Sequence, residues 1–409
     1  MSDLLPGEIE TWQAMEQRFR EVLRRYGYAE VRTPVLEETA LFARGVGEGT
    51  DIVGKEMYTF TDKGGRSLSL RPEATAGLVR AYIEHSISNQ EPLTRWFCFG
   101  PMFRYERMKT GRYRQFYQLD VEAFGVKGPA QDAEVIEVAL EVLRALELKG
   151  VKLELNSIGD AQCRPAYQQQ LVAYFTGSRD QLCAECQLRL ERNPLRILDC
   201  KNEKCREIAR GAPKMLDHLC QPCRDHFAEV QRLLGLVGAP FTVNPWIVRG
   251  LDYYVRTAFE LVADDPVLGT ASAVGGGGRY DGLVQSLGGP DVPGVGFALG
   301  ADRLKLLMQG RSFTQAPDLF VASVDDKAFD AAFALASKLR KDGLGVETDT
   351  RGGSLKSQMK RADKSGAQFA LVVGEREVAE QAGELKPMRG GESRRVSFAD
   401  LPAILRAPR

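Results

Sequence analysis

Histidine is nearly absent from this 409-residue chain: only His85, His218 and His226 occur. None lies in a pattern that pairs a nucleophile with a base, so chemistry that leans on a protein imidazole is disfavoured. Several familiar signatures are missing as well. The chain has no G-x-S-x-G, no H-E-x-x-H, no G-x-x-x-x-G-K-[ST], and no G-x-G-x-x-G opening a helix after a first strand. Those absences remove the serine hydrolase, zincin, P-loop and dinucleotide-binding readings. An excess of charge is also lacking, because Lys+Arg and Asp+Glu both number 55. Zero net charge argues against non-specific nucleic-acid binding through bulk charge and leaves local basic patches open. No apolar run approaches the roughly 20 residues of a membrane helix, and "MSDLLPGEIETW" has no signal-peptide pattern. The expected setting is therefore the cytoplasm, with no membrane partner. Against these absences stands a composition of 44% hydrophobic and 27% charged residues, enough for sizeable cores and, at this length, two or three domains.

Hydrophobic periodicity divides the chain. Trp12, Met15, Phe19, Val22, Leu23 and Tyr26 recur at three- and four-residue steps after Pro6, and Gly27 ends the helical run. "AEVRTPVLEE" is expected to be a strand broken at Pro34. "EMYTFTDKGGRSLSL" reads as a hairpin turning at Lys63–Gly65 and entering a helix at about Pro72. "RWFCFGPMFRYERMKTGRYRQFYQLDVEAFG" reads as an antiparallel hairpin with strands at 95–106 and 114–125. Residues 160 to 240 are polar, helical and cysteine-rich, and interrupt the strand pattern as an insertion. "GRSFTQAP" is a linker, and beyond it "DLFVASV", "GVETD" and "FALVVGE" alternate with helical stretches as in a small α/β domain.

Four stretches carry chemistry. The 95–125 hairpin gathers Arg104, Arg107, Lys109, Arg112 and Arg114 in and beside one loop. Phe116, Gln118, Asp120 and Glu122 share one face of its second strand. Arginines there can clamp a polyphosphate and the ring can stack on a base, whereas a solvated face with cross-strand ion pairs is the plainer alternative. "SLSLRPEATAG" sets Arg71, Glu73 and Thr75 at a strand-to-helix junction, where an acid in the first turn is also ordinary capping. "GGGGRYDGL" marks a phosphate cradle or, more commonly, a close backbone approach. "RGLDYYVRTAFE" (249–260), read as a strand, puts Arg249, Leu251 and Tyr253 on one face and Gly250, Asp252 and Tyr254 on the other, an arrangement no core–solvent alternation would choose. A basic face formed by Lys356, Lys360 and Lys364, with Arg361 beside it, is either solvated or meets a phosphate backbone.

Six of the eight cysteines lie between Cys183 and Cys223, as Cys183-x-x-Cys186, Cys200-x4-Cys205 and Cys220-x-x-Cys223. The two C-x-x-C pairs can share one structural zinc, with His218 or His226 as a substitute ligand. The alternative is a set of reduced thiols packed inside a small insertion.

Together these pieces resemble the histidyl-tRNA synthetases, a family of class II aminoacyl-tRNA synthetases, over nearly the whole chain. The stretch around Pro34 resembles motif 1, which builds the family's dimer interface. "GPMFRYERMKTGRYRQFYQLDVEAFG" resembles motif 2 and "GVGFALGADRLKLLM" motif 3, while "RGLDYYVRTAFE" and "GGRYDGL" are similar to the two histidine-specific signatures. The resemblance implies a mixed α/β fold: an antiparallel sheet flanked by helices, catalytic segments 1–159 and 241–309, a helical insertion 160–240, and an α/β anticodon-binding domain 318–409. It implies ATP with Mg2+, histidine and tRNA(His) as reactants, and a homodimer. By carry-over, Arg104 and Arg249 flank the α-phosphate, Arg249 where other class II enzymes place a metal ion. Glu106 meets the adenine amino group, Phe116 stacks on the ring, and Arg112 and Arg303 reach the β/γ-phosphates. Glu73 and Thr75 take the substrate ammonium, and Gln118, Glu122, Tyr253, Tyr254 and Tyr280 surround the imidazole. Motif 3 ends here in Asp302-Arg303 rather than Glu-Arg, which implies a looser hold on Arg303. The cysteines are not a general family requirement, so the expectation is reduced thiols and no bound metal. The rival reading is the synthetase-like regulatory subunit of a short-form ATP phosphoribosyltransferase, which typically lacks the RGLDYY signature and the anticodon domain. A third is a tRNA-sensing module without adenylate chemistry.

Overall fold

Trp12, Met15, Phe19, Val22 and Leu23, five of the six periodic positions, are the buried residues of the first helix, α1 (Ile9–Arg25). The structure, a computed structural model, describes residues 3–47, 50–269 and 272–406. After α1 come β1 (Ala29–Glu30), β2 (Leu36–Glu38), α2 (Thr39–Val46), β3 (Thr59–Thr61) and β4 (Ser67–Leu70). Then follow α3 (Thr75–Glu84), the hairpin β5 (Thr94–Phe103) and β6 (Gln115–Phe124), α4 (Pro129–Ala145) and β7 (Val151–Ser157). Helix α3 starts three residues beyond Pro72, because the Glu73 carboxylate accepts the backbone N–H groups of Thr75 and Ala76 at 2.9 Å each and so caps it from outside.

The excursion between β7 and β8 (Phe241–Val243) holds α5 (Arg164–Thr176), α6 (Ala184–Arg192), α7 (Glu203–Arg210) and α8 (Gln221–Leu236). It has its own core, built from Tyr167, Leu171, Phe175, Leu190, Ile197 and five cysteines. The sheet resumes with β9 (Val255–Ala263), β10 (Ala273–Arg279), α9 (Leu283–Ser286), β11 (Gly294–Gly300) and α10 (Ala301–Leu307).

The large sheet runs β1-β5-β6-β11-β10-β9-β7-β8. Every internal pairing is antiparallel, and only β1 and β8 add in parallel at the edges. One expectation fails here: residues 249–254 are a turn, and the strand begins only at Val255. The strand enters through a bulge. Val255 pairs with Arg279 but Ala258 with Gly278, and Arg256 between them has φ +54°. That bulge aims the preceding turn across the face of the sheet, so the two-face alternation never applied to Arg249, Tyr253 and Tyr254.

Residues 1–312 and 313–409 form two compact units. The second has β12 (Leu319–Ser323), α11 (Asp326–Lys341), β13 (Val346–Thr348), α12 (Leu355–Ser365), β14 (Phe369–Val373), α13 (Glu375–Glu380), β15 (Ala382–Pro387), β16 (Arg394–Ser397) and α14 (Leu401–Arg406). Its sheet order is β13-β12-β14-β15-β16, with β13, β12 and β14 parallel and the last two antiparallel. Those last two strands, both charged and the second at the sheet edge, carry no strand signal in the sequence. Among the described residues no helix is long and apolar enough to cross a membrane.

One buried ionic knot ties the excursion to the rest of the first unit. Arg279 at the end of β10 is 0% exposed and forks onto Asp132 of α4, while also reaching Asp281 (2.8 Å) and the carbonyls of Val126 and Gly128. His226 of α8 bonds the same Asp132 oxygen at 3.0 Å. Burial alone would raise Asp132, but the hydrogen bond from His226 and the Arg279 guanidinium hold its pKa below the ordinary value. Removing the acid leaves a guanidinium buried without its counter-charge, so Asp132→Ala is expected to cost about 3–5 kcal/mol at neutral pH. Because the folded-state pKa is depressed, this contribution is present above the unfolded value and fades as pH falls below about 4. Urea unfolding followed by tryptophan fluorescence measures it for the first unit alone, since Trp12, Trp96 and Trp246 all lie there. A variant as stable as the wild type at pH 7 contradicts the assignment.

Candidate active site

A cavity of about 830 Å³ opens over the middle of the large sheet. It is lined by Glu73, Thr75, Arg104, Glu106, Arg112, Phe116, Gln118, Arg249, Tyr253, Tyr254 and Arg303. The structure thus brings together every site residue named from the sequence except Glu122 and Tyr280, which lie just behind the lining.

At one end, two cations are held by neutral groups. Arg104 donates from Nε to the Pro72 carbonyl at 2.9 Å, and its guanidinium sits 5.2 Å from the centre of the Phe116 ring. Arg303 donates from Nε to the Gly111 carbonyl at 2.9 Å and from Nη1 to that of Ala273. Asp302 is not its partner. The Asp302 carboxylate accepts the Tyr117 backbone N–H at 2.7 Å, so the shorter acid locks α10 onto β6, and Arg303 is fixed by carbonyls rather than loosened. Glu106, expected to face an adenine amino group, pairs with Arg112 at 2.8 Å.

Arg249 lies on the sheet itself. Its Nη1 donates to Glu260 of β9 at 2.8 Å, and its guanidinium is 5.5 Å from the centre of the Tyr254 ring. Gly276, directly opposite Glu260 in β10, makes this possible: a Cβ there would stand 2.7 Å from Arg249 Nη1. Asp252 points elsewhere, accepting from Asn193 of the excursion at 3.1 Å.

At the other end sit acids. Glu73, Asp120 and Glu122 are 4%, 1% and 1% exposed. Thr75 Oγ1 donates to Glu122 at 2.6 Å and Tyr280 OH donates to its other oxygen, so Glu122 is fully engaged behind Thr75. Gly296 of β11, opposite Glu122, leaves the space its carboxylate fills. Tyr253 packs on Tyr254 and edge-on to Tyr280, with centroids at 4.6 and 5.6 Å. Burial raises Glu73, and it pushes Asp120 and Glu122 up to about 8, with neighbouring acids adding to the shift. Asp120 was assigned no role from the sequence. It lines the cavity, and its Oδ2 is buried without a partner, as are Gln118 Oε1, Arg249 Nε and Arg112 Nε. Its place two residues from both Gln118 and Glu122 on one strand face was the available signal.

The excursion closes one wall, through Cys183, Arg189, Arg196, Cys200, Lys201 and Asn202. Arg196 donates to the Gly250 carbonyl at 3.1 Å, and Arg189 and Arg196 reach Asp51 at 3.3 and 3.5 Å. None of these was legible in the sequence, because each contact spans more than fifty residues. The two C-x-x-C pairs, expected to meet if they bound anything, do not. Cys183 and Cys186 gather with Cys200 and Cys205, whereas Cys220 and Cys223 gather with Cys163 and Asp160. His218 stacks near Tyr167 at 5.6 Å and His226 is bound to Asp132, so neither joins a cysteine group.

The family model for histidyl-tRNA synthetase matches residues 1–304, and that for an anticodon binding domain matches residues 318–407. Relatives named histidine–tRNA ligase include those of Desulforamulus reducens, 49% identical, and Desulforudis audaxviator, 51% identical; each alignment covers 99% of this chain and 97% of the relative. The crystal structure of apo histidyl-tRNA synthetase from S. aureus superposes with TM-score 0.84 at 37% identity, over 99% of this chain and 98% of that one. Likeness at this level, over both units, favours the aminoacylating enzymes over the regulatory-subunit reading, and the chain belongs to the histidyl-tRNA synthetase family.

Proposed function

We propose that this cavity activates histidine with ATP, as Mg2+–ATP, and passes the histidyl group to the 3′ end of tRNA(His). The histidine carboxylate attacks the α-phosphorus, the bond to the β-phosphate oxygen breaks, and pyrophosphate leaves. The 3′-terminal adenosine hydroxyl then attacks the carbonyl carbon of the adenylate and AMP leaves, with an adenylate phosphate oxygen taking the proton. The observation that carries this reading is Arg249: a guanidinium seated on bare backbone, fixed by Glu260, in one cavity with Arg104. Charge developing on the α-phosphoryl oxygens would meet cations already oriented, which is where such catalysis gains most. Arg112 and Arg303 take the far phosphates, and Phe116 stacks on the adenine. Glu106 reaches the adenine amino group by exchanging its bond to Arg112.

At the acidic end, Glu73, Thr75 and Asp120 receive the ammonium of histidine, and Gln118 with the Tyr253–Tyr254 pair lines the imidazole. Glu122 acts through Thr75 and Tyr280, holding both hydroxyls in one orientation as positioning support. The second unit takes the anticodon, and the exposed Lys356, Lys360 and Lys364 of α12 supply a face for the phosphate backbone. The work is done in the cytoplasm by a homodimer. The small sheet β2-β4-β3 supports the dimer, because it buries Ser69 and turns Leu36, Phe60, Leu68 and Leu70 to the other face, where Leu36 is 42% and Phe60 46% exposed.

Histidine-dependent pyrophosphate exchange tests the assignment. Arg249→Ala is expected to slow exchange about 10²–10³-fold while moving the histidine dissociation constant by less than about tenfold. Exchange at the wild-type rate would remove Arg249 from the chemistry. The ammonium site has a proton signature. Asp120, pushed up to about 8 by burial, is mostly protonated at pH 7 in the free protein, and an arriving cation favours its ionised form. Histidine binding should therefore release protons near pH 7 and strengthen as pH rises to about 8. Calorimetry in buffers of different ionisation enthalpy measures the release, and Asp120→Asn should lower it while Glu122, also pushed up to about 8, keeps its share, the difference cancelling the titration of histidine itself. Equal release by both proteins refutes the role. Phe60→Asp is expected to convert a dimer to a monomer in sedimentation equilibrium, and an unchanged mass places the interface elsewhere.

A further inference from the structure

The cysteines of the excursion form two sets whose geometry the adenylate site does not use. In each set all four ligand atoms lie within 4.8 Å of one another: the sulfurs of Cys183, Cys186, Cys200 and Cys205, and those of Cys163, Cys220 and Cys223 with an Asp160 oxygen. All of these cysteines are free. Four sulfurs around one zinc at ~2.3 Å stand ~3.8 Å apart along each tetrahedral edge. Cys183 Sγ and Cys200 Sγ are 3.9 Å apart, as are Cys163 Sγ and Cys223 Sγ. Replacing one sulfur by a carboxylate oxygen at ~2.0 Å shortens its edges to about 3.5 Å, and Asp160 Oδ1 lies 3.6 Å from Cys163 Sγ and 3.8 Å from Cys220 Sγ. We propose that the excursion binds two zinc ions, one held by four thiolates and the other by three thiolates and a carboxylate.

Packing alone does not explain the arrangement. Cys98 shows what a structural thiol looks like in this protein: a single buried sulfur among Ala74, Leu78 and Met102. Thiols used as small apolar groups have no reason to converge in fours, and a disulfide requires an S–S separation near 2.05 Å. Backbone N–H groups point at the converging sulfurs, from Cys183 to Cys205 Sγ (3.2 Å), from Asn202 to Cys200 Sγ (3.4 Å) and from Asp160 to Cys163 Sγ (3.4 Å). Asp160 is oriented from behind by Arg256 at 3.3 Å and by the Gln162 N–H at 3.0 Å. Such outer partners are what orient thiolate and carboxylate ligands. Soft, tetrahedral donors this close together suit a single zinc ion.

The two sites do different structural work. The mixed thiolate–carboxylate site joins the entrance of the excursion, at Asp160 and Cys163, to the start of its last helix, at Cys220 and Cys223. The all-thiolate site fixes the segment that lines the cavity, since Cys183 and Cys200 are themselves in that wall. With four protein ligands each, neither site keeps an open position for a reacting molecule.

Metal analysis of the full-length protein, purified without chelator, is expected to give about two zinc ions per chain. Cys205→Ser and Cys223→Ser should each retain about one. Cobalt(II) loading gives an independent reading on the wild-type protein should either variant fail to fold: two equivalents should develop the intense visible bands of tetrahedral thiolate cobalt, with saturation at two. Fewer than two equivalents, in zinc content after incubation with excess zinc and gel filtration or in the cobalt titration, overturns the two-site assignment.

Discussion

A guanidinium can lie flat against a β-sheet only where the sheet has no side chains. Arg249 approaches β10 at Gly276, one of four consecutive glycines in the interior of the eight-stranded sheet, where a Cβ would stand 2.7 Å from its Nη1. Glycine within a strand costs roughly 0.5–1 kcal/mol relative to alanine, and the strand accepts that cost repeatedly. In exchange the cavity gains a floor of backbone, and Glu260 on the neighbouring strand can fix a cation that would otherwise have to sit above a layer of side chains. The turn at 249–254 and the bulge at Arg256 bring this one group to that floor.

Around it the cavity is bipolar by construction. Arg104 and Arg303 are oriented by carbonyl oxygens, which aim a guanidinium without cancelling its charge. Glu73, Asp120 and Glu122 lie together at the other end, and burial holds each above the usual carboxylate range. Buried acids are costly, and the nearby charges of Arg104 on Glu73 and of Arg71 and Arg104 on Asp120 offset only part of that burial. The sheet tolerates three because Glu73 also caps α3, Glu122 is bonded by Thr75 and Tyr280, and Asp120 is mostly protonated near neutrality. A molecule carrying an ammonium at one end and reacting with a polyphosphate at the other relieves both ends at once. That match of opposite fields, rather than any single contact, is what distinguishes this cavity from a solvated sheet face.

What the sequence disclosed follows from range. The helix at 9–25, the 94–124 hairpin and the strand–helix unit of motif 3 are set by local periodicity and turn residues, and they were legible. Resemblance supplied the set of cavity residues, but not their layering: that Glu122 and Tyr280 stand behind Thr75 is a consequence of cross-strand register with Gly296. The turn at Arg249 reads as strand because it runs straight from paired tyrosines into the β-branched Val255 and Thr257 of β9, while the partner strand of the bulge that bends it, β10, lies about twenty residues on. Strands β15 and β16 are hidden from periodicity because β16, at the sheet edge, and β15, next to it, carry charge where the central strands carry apolar residues. The partition of the cysteines was beyond spacing altogether, since Cys163 and Asp160 precede the visible cluster.

The excursion then ceases to be an appendage. Trp246 and Val248, on the approach to Arg249, pack against its core, and Arg196 holds the Gly250 carbonyl. The turn that delivers the central guanidinium is therefore clamped between the sheet and a module of about eighty residues whose apolar core is interrupted by its cysteines. Such a module gains rigidity from internal cross-links more readily than from burial. Cys183 and Cys200 stand where a cross-link would transmit that rigidity directly to the cavity wall. The order of dependence is consistent: the cysteine sets brace the excursion, the excursion braces the turn, and the turn places Arg249 on the one strand bare enough to receive it.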